Sequence, residues 1–275
     1  MRRILAIPGV DVNLRGRILR TPLIEASLSG RPEVVRVLLG APGINVNVVD
    51  RDGMTPLHRA SSRGRSEVVR LLLGTPGIDV HLVDRQGQTP LHWASRCGST
   101  EVVRLLLGAP GINVNLVAED GWTPLHWASR HGPSEVVPLL LGAPGINVNL
   151  ADGIGMTPLH LASEYGRSEV VRQLLAAPGV RVFLQNYAGQ SAMELADLGS
   201  FPWTPSMGRT DVWHVLNEVV DAKQTFGALL LALLHHGVSR SEAAGLAMRG
   251  LRDDRARAMA ARMRDTWPGA GGGQG

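Results

Sequence analysis

The chain has 275 residues, enough for one large domain or two smaller ones. It contains only 6 Trp, 3 Phe and 2 Tyr, so a hydrophobic core has to be built from aliphatic side chains. A formal net charge of +4 is too small to single out a nucleic acid as the partner, and the one cysteine, Cys97, excludes an intramolecular disulfide.

The N-terminus imitates a signal peptide, because Arg2 and Arg3 precede a short apolar stretch. Pro8 and Gly9 end that stretch, which leaves it shorter than the core of a typical signal peptide. The apolar segment 228–234 has about a third of the length of a transmembrane helix. We therefore expect no membrane span, and a protein located inside the cell, in the cytoplasm or the nucleus.

A repeat of 34 residues dominates the sequence. Its clearest mark is the dipeptide Thr-Pro, which recurs at the same spacing, starting at Thr21, Thr55, Thr89, Thr123 and Thr157. A degenerate sixth copy begins at Ser191, and residues 1–14 look like the end of an earlier, partial repeat. A fixed period in this range is typical of a solenoid of stacked units.

One repeat, residues 87–121, predicts the local structure. Thr89 is suited to cap a helix that begins with Pro90 and ends near Gly98. The following run of Val and Leu, which includes Leu106, predicts a second helix that is buried on most sides. Residues 112–114 then favour a short extended arm. The fold predicted is an all-α repeat solenoid of stacked helix-turn-helix units with protruding β-hairpin arms, followed by C-terminal helices.

The repeats divide the chain into three segments. Residues 1–220 are predicted to form the repeat domain, with a partial N-terminal repeat, five full repeats and a degenerate sixth. The sixth carries an insertion rich in Trp and Pro, interpreted as a packing plug or a contact site. Residues 221–267 are predicted as a helical cap or extension, whose Arg-rich helix is either a solvated face or a docking helix. Residues 268–275 are Gly-rich and predicted to be disordered.

The repeats carry the motif T-P-L-H-x-A at residues 55–60, and further copies start at Thr89, Thr123 and Thr157. This pattern resembles the ankyrin repeat family, although each repeat is one residue longer than the commonest family period. The first copy has Ile24 in place of the histidine, and the sixth has Glu194. The resemblance implies a non-enzymatic scaffold for protein–protein interaction.

Four histidines occupy the same place in successive repeats: His58, His92, His126 and His160. Equivalent positions on packed helices lie about 8–10 Å apart, whereas zinc needs ligands within about 2.1 Å of one point. These residues therefore do not share a metal, and the resemblance implies that they bind backbone between repeats. The sequence contains no nucleophile elbow, phosphate loop or C-x-x-C pair. We expect no catalytic residue, no cofactor and no bound metal.

The resemblance implies that a partner protein contacts the hairpin tips and the concave face of the first helices. The predicted contact residues are Arg51, Met54, Arg63, Arg85, Gln88, Arg96, Trp122, Arg130, His131, Met156 and Tyr165. Arg63, Arg96 and Arg130 would form a basic track beside a more apolar group. This combination favours an acidic partner with an apolar anchor, and the alternative is that the arginines only keep the face soluble. No small-molecule substrate is expected.

Two other functions stay open. The C-terminal helices could recruit other machinery, for example a ubiquitin ligase, which would make the chain an adaptor. Nucleic-acid binding through the Arg track is less favoured, and a steep salt dependence would identify it. Asn47, Asn115 and Asn149 lie where members of the family can be hydroxylated, but a hydrogen bond within the local turn is a sufficient explanation.

Overall fold

The computed structural model describes residues 11–16, 18–197, 211–212 and 214–217. The chain divides into two compact units, Met1–Ile154 and Gly155–Gly275. The predictions for the inserted loop, the C-terminal helical segment and the Gly-rich tail lie outside the described residues. The boundary proposed at residue 220 likewise stays a prediction.

Pairs of short helices build the first unit. They are α1 (Pro22–Ser29) with α2 (Pro32–Leu39), α3 (Pro56–Ser62) with α4 (Ser66–Leu73), α5 (Pro90–Cys97) with α6 (Thr100–Leu107), and α7 (Pro124–His131) with α8 (Val136–Leu141). The second unit contains α9 (Pro158–Glu164), α10 (Ser168–Ala176) and α11 (Ala192–Asp197), and residues 211–212 and 214–217 are also helical.

The predicted start and end of the first helices are confirmed. In α5, Thr89 adopts an extended backbone and its Oγ1 accepts a hydrogen bond from the His92 N–H at 3.4 Å. Nδ1 of His92 accepts in return from the Thr89 N–H at 3.0 Å, so two of the orphan donors at the helix start are satisfied. Pro90 is the first helical residue, and Gly98 ends the helix at a φ of 70° that favours glycine.

The core of the first unit lies between successive helix pairs. First helices pack on first helices, α1 on α3, α3 on α5 and α5 on α7, and the second helices pack in the same sequence. Each layer is filled by a leucine that is almost completely buried, namely Leu57, Leu72, Leu91, Leu106, Leu125 and Leu140. Helices of six to eight residues are not stable alone, so this contact between repeats holds each one in place.

The arms differ from the prediction, because they are turns rather than β-hairpins. Across the first complete arm the Asp50 N–H donates to the Met54 carbonyl at 3.1 Å. Oδ1 of Asp50 accepts from the N–H groups of Asp52 and Met54, at 3.0 and 3.1 Å. An aspartate side chain thus takes donors that a strand ladder would use. In the described part of the chain, β pairing is limited to one isolated bridge between Gln185 and Ser191.

Asparagines at the base of the arms connect neighbouring repeats. Nδ2 of Asn47 donates to the Gly77 carbonyl at 2.8 Å, and its Oδ1 accepts from the Asp79 N–H at 3.0 Å. Asn115 makes the equivalent pair of bonds with Gly145 and Asn147. The expectation that Asn47 and Asn115 bond within their own turn is therefore wrong. The local bond is made by the asparagine two positions earlier. Oδ1 of Asn45 accepts from the Asn47 N–H, and Oδ1 of Asn113 accepts from the Asn115 N–H, both at 3.0 Å.

The degenerate sixth repeat replaces the histidine cap by a carboxylate. Oε2 of Glu194 accepts hydrogen bonds from the N–H and the hydroxyl of Ser191, at 2.6 and 2.7 Å. These two bonds lower the pKa of Glu194. Ser191 and Glu194 form the S-x-x-E capping box, which satisfies backbone N–H groups at the start of the helix in the absence of the Thr-Pro dipeptide.

None of the helices in the described part of the chain has the length and hydrophobicity needed to cross a lipid bilayer.

Candidate protein-interaction site

Buried histidines on the first helices bind the backbone of the following repeat. Nε2 of His58 lies 2.9 Å from the Gln88 carbonyl, and Nε2 of His92 lies 3.0 Å from the Trp122 carbonyl. A carbonyl only accepts, so Nε2 carries the proton and Nδ1 is free to accept from the threonine N–H. Burial lowers the pKa of His58 and that of His92 to about 4, despite the opposing effect of these hydrogen bonds. Both rings are neutral near pH 7.

The residue after each histidine points toward the base of its own arm. In α3 this residue is Arg59, whose guanidinium bonds the carboxylates of Asp50 and Asp52. In α5 it is Trp93, whose Nε1 donates to Oδ2 of Asp84 at 2.8 Å. Asp50 and Asp84 are buried and equivalent in the repeat. Each one therefore anchors a different side chain at the same place.

The next repeat breaks this pattern at Ala118. It stands where Asp50 and Asp84 stand in the earlier repeats, so Trp127 has no carboxylate to bind. Nε1 of Trp127 is buried and has no hydrogen-bond acceptor among the described residues. The position of Trp127 is determined by ring contacts instead.

Trp127 lies in a cluster of rings. Its centroid is 4.6 Å from that of Trp122, in an edge-to-face arrangement at 61°, and 5.7 Å from that of His131, which is stacked at 25°. Nε1 of Trp122 donates to Oδ2 of Asp152 at 2.9 Å, which fixes the second indole. Both tryptophans are 8% exposed. The packed rings form an apolar cluster at the C-terminal ends of α5 and α7.

Two guanidinium groups lie on these rings. Cζ of Arg96 is 4.6 Å from the centroid of Trp127 and 5.2 Å from that of Trp93. Cζ of Arg130 is 5.2 Å from the centroid of Trp122. These are cation–π distances. Arg96 is exposed and Arg130 is half-buried. The guanidinium of Arg96 on α5 therefore faces solvent on one side and contacts two indole rings on the other.

The sequence comparisons agree with this architecture. The family model "Ankyrin repeats (3 copies)" matches residues 2–84, 76–152 and 110–186, which together cover more than half of the chain. The chain belongs to the ankyrin repeat family.

Solved structures give the same result. Among 617 matching chains is the ankyrin repeat domain of Bcl-3, whose title calls it a unique member of the IkappaB protein family. It is 29% identical, with a TM-score of 0.65, and the match covers 78% of this chain and 91% of that one. No curated protein matches the sequence in a direct comparison. Ankyrin repeats are generally protein–protein interaction modules.

The ankyrin fold divides the predicted contact residues into two groups. Exposed are Arg51, Arg63, Arg85, Arg96, His131 and Tyr165, and Arg130 is half-buried. Buried are Met54, Gln88, Trp122 and Met156, at 3, 4, 8 and 4% exposure.

The burial of these four side chains corrects their prediction as surface contacts. They occupy one position of the repeat, directly before the threonine cap. At this position the carbonyls of Gln88 and Trp122 accept the hydrogen bonds from His58 and His92. The backbone of Gln88 and Trp122 is therefore held against the preceding repeat, which encloses their side chains.

The predicted basic track also differs in register. Arg96 and Arg130 are 34 residues apart and equivalent, whereas Arg63 is one position later, at the C-cap of α3. Arg63 and Arg96 nevertheless lie close to Cys97. Burial raises the pKa of that thiol, and the positive charges of the two arginines oppose the rise. The two guanidinium groups thus act electrostatically on the same thiol.

The arginines of the second helices behave differently, because they are paired with glutamates. Nη1 of Arg36 lies 2.9 Å from Glu33 on the same helix, and its Nη2 lies 3.8 Å from Glu67 on the next. Arg70 continues the series to Glu101, at 3.3 Å. Opposite charges alternate along this side of the repeats, and each guanidinium has a carboxylate within the chain.

In contrast, four predicted contact residues make no side-chain hydrogen bond or ion pair with any described residue. They are Arg51, Arg63, Arg85 and Arg96, and we call them the arginine surface. The arms of Arg51 and Arg85 are neighbours, because the Arg85 N–H donates to the Asp52 carbonyl at 3.1 Å. Their charge is not compensated within the described part of the chain.

The sequence reasoning missed Trp93 and Trp127. Both occupy the variable position x of T-P-L-H-x-A, which reads Arg, Trp, Trp and Leu in the four matching copies. The recurrence of tryptophan at one position in two adjacent repeats is a signal that the sequence contains. The role of each tryptophan depends on the residue nine positions earlier, Asp84 or Ala118, and no local motif connects the two positions.

Among the described residues, no three or more His, Cys, Asp or Glu side chains form a group that could hold a metal ion. Tyr165 belongs to the second unit, where Phe183 and Tyr187 are also exposed, at 59 and 80%. These side chains offer apolar contact area in that unit.

Proposed function

We propose that this ankyrin repeat chain is a protein-interaction scaffold that binds an acidic segment of a partner protein on the arginine surface. The observation that carries the proposal is the contrast in pairing. Second-helix arginines such as Arg36 and Arg70 have carboxylates within the chain, whereas Arg63 and Arg96 have none among the described residues. A partner carboxylate would supply the missing counter-charge.

One remaining predicted contact extends this surface. His131 is exposed and stacked on Trp127, so it offers an aromatic face beside Arg96. Tyr165, in the second unit, is proposed as a separate contact. We expect the chain to act inside the cell, in the cytoplasm or the nucleus, and no small molecule or bound cofactor to be required.

The charge of the arms favours a protein over a nucleic acid. The third arm of the first unit carries Glu119 and Asp120, both exposed, next to the arm of Arg85. A phosphate backbone would be repelled by this arm, while a folded or extended protein segment can present acidic and basic groups in turn.

A capture experiment tests the proposal. The double variant Arg63→Glu/Arg96→Glu is compared with the parent and with Arg70→Glu/Arg104→Glu, which makes the same change of charge on the second helices. Circular dichroism first establishes that both variants are folded. Proteins bound from cell lysate are then quantified by mass spectrometry, with nuclease treatment in parallel.

We expect a specific set of proteins to be retained by the parent and the second-helix control and lost by the arginine-surface variant. Equal loss from both variants would mean that net charge alone drives capture. Loss after nuclease treatment, with a steep salt dependence, would replace the proposal by nucleic-acid binding. An adaptor role for residues 221–267 stays a separate prediction, tested by deleting them and asking which co-captured proteins disappear.

A further inference from the structure

Arg96 is the residue of the arginine surface whose position is most closely determined. Its guanidinium lies over Trp93 and over Trp127, with Cζ 5.2 and 4.6 Å from the two ring centroids. Trp93 is fixed by its hydrogen bond to Asp84, and Trp127 by its contacts with Trp122 and His131. Two anchored rings therefore hold one exposed cation.

This arrangement leaves the hydrogen-bonding capacity of Arg96 unused. The contacts of Arg96 are with the indole rings, whereas its guanidinium also carries five N–H donors. None of these donors bonds to a described residue. A flexible arginine loses rotamer entropy when it binds an anion, but one held over two rings has already lost part of it. Arg96 is thus preorganised to donate two parallel hydrogen bonds.

The local charge favours an anion. Arg63 lies close enough to Cys97 to act on it together with Arg96, and Arg130 lies on the adjoining ring of Trp122. Ala118 removes the carboxylate that the earlier repeats carry at this place. The indole N–H of Trp127 is left without an acceptor among the described residues, so the region has an excess of donors.

We propose that Trp93, Arg96 and Trp127 form a preorganised site for a side-chain carboxylate of the partner, an Asp or Glu that receives two hydrogen bonds from Arg96. This inference rests on the proposed function, because it names the chemical group that the arginine surface recognises. Arg96 is then a specificity-determining residue, and the indoles position it. A planar carboxylate fits the guanidinium fork in a way that a point charge does not.

The probe is an N-acetylated, C-amidated octaglutamate peptide, titrated into the full ¹⁵N-labelled chain and followed by NMR. The informative signals are the Arg96 Nε–Hε and the indole N–H of Trp93 and Trp127. We expect these three signals to shift together and to saturate with octaglutamate. Octaglutamine, which has the same length and no charge, is expected to leave them in place.

Three variants distinguish bidentate hydrogen bonding by Arg96 from attraction by its positive charge alone. Arg96→Lys keeps the charge but loses the planar fork and should weaken binding by about tenfold. Arg96→Gln should weaken it at least as much. Arg104→Gln removes one charge from an exposed, ion-paired arginine on α6 and should leave the affinity within about twofold.

Equal binding by Arg96→Lys and the parent would overturn the inference, since charge alone would then be sufficient. Shifts confined to Arg51 and Arg85 would do the same. Tighter binding of an oligothymidylate of eight nucleotides, with a steep salt dependence, would assign the site to phosphate. These outcomes differ from a failure of the proposed function, in which octaglutamate binds at Arg96 but the Arg63→Glu/Arg96→Glu variant captures the same proteins as the parent.

Discussion

Residue 118 shows how one side chain changes the role of its neighbours. Asp84 accepts the indole N–H of Trp93, while Ala118 leaves the equivalent N–H of Trp127 without an acceptor in the described part of the chain. The two tryptophans are therefore chemically different, although the motif around them, P-L-H-W-A-S-R, is the same in both repeats.

This difference predicts unequal effects of one substitution. Trp93→Phe removes the donor to Asp84 and leaves a buried carboxylate oxygen unsatisfied, which should cost about 1–3 kcal/mol of unfolding free energy beyond the loss of ring area. Trp127→Phe loses comparable ring area and no hydrogen bond. Urea unfolding followed by circular dichroism compares the two variants directly. Equal destabilisation would contradict the different roles assigned to Asp84 and Ala118.

At this scale the sequence predicts the exposure of a side chain correctly only where that side chain simply faces solvent. Arg51 and Arg85 were placed at the arm tips by the repeat register, and they are exposed there. Gln88 and Trp122 follow the same register but are buried, because the histidine side chains of the preceding repeat bond to their carbonyls and hold them against that repeat. Those bonds run between residues 30 positions apart, a distance that short motifs do not report.

The helices were predictable because their caps are local. Threonine, proline and glycine at fixed offsets determine where α3 or α5 begins and α5 ends, and each acts within a few residues. The arms were not predictable in this way. Their extended appearance in sequence suggested hairpins, but the carboxylate of Asp50 bonds the amides of the turn and limits the ladder.

The first helices of the first unit contain buried hydroxyls without hydrogen bonds to any described residue. They belong to equivalent serines in successive repeats, Ser27, Ser61, Ser95 and Ser129. A buried hydroxyl without a partner costs free energy relative to a methyl group. Each of these serines therefore lowers the stability of its repeat.

Replacing one of these serines should stabilise the protein. Ser61→Ala is expected to raise the unfolding free energy by about 1 kcal/mol, since it removes an unsatisfied polar atom and improves helix propensity. The adjacent Ser62→Ala is the matched control. Its hydroxyl donates to the Arg59 carbonyl at 3.0 Å, so its loss should bring little or no gain. A loss of stability in Ser61→Ala would show that its hydroxyl has a partner.

The second helices contribute to stability through leucines that are buried between the neighbouring helices. Leu106→Ala in α6 should cost about 2–5 kcal/mol, because the side chain is completely buried between two other helices. Leu105→Ala removes the same atoms from a half-buried position and should cost clearly less. Chemical denaturation of both variants gives the comparison. A cost below about 1 kcal/mol for Leu106→Ala would contradict its place in the core.

At the scale of the whole molecule, the buried histidines connect stability to pH. Both rings remain neutral in the folded state down to about pH 4, the value to which burial lowers the pKa of His58 and of His92. In the unfolded chain the same rings take up a proton below about pH 6.5. Acid therefore stabilises the unfolded state selectively between these two values.

We expect the unfolding free energy to fall as the pH is lowered from about 6.5 toward 4, by about 2 kcal/mol for each of the two rings at pH 5. Above pH 7 both states hold the rings neutral, so this contribution to the pH dependence vanishes. Urea midpoints measured across this range test the sign. A His58→Gln/His92→Gln variant should show a shallower slope, and an unchanged slope would mean that other groups cause it.

The bonds that join repeats also restrict how the length of this chain can change. Asn47 reaches residues 77 and 79, and Asn115 reaches 145 and 147, so each connection spans the same interval. Removal of residues 55–88 would bring Gly111 and Asn113 to the positions of Gly77 and Asp79, and Asn47 would meet equivalent partners. Removal of 33 or 35 residues from the same place would leave the connection of Asn47 one residue out of step. We therefore expect this region to gain or lose length in whole steps of the period, because the insertion or loss of a single residue would break the connection that spans it.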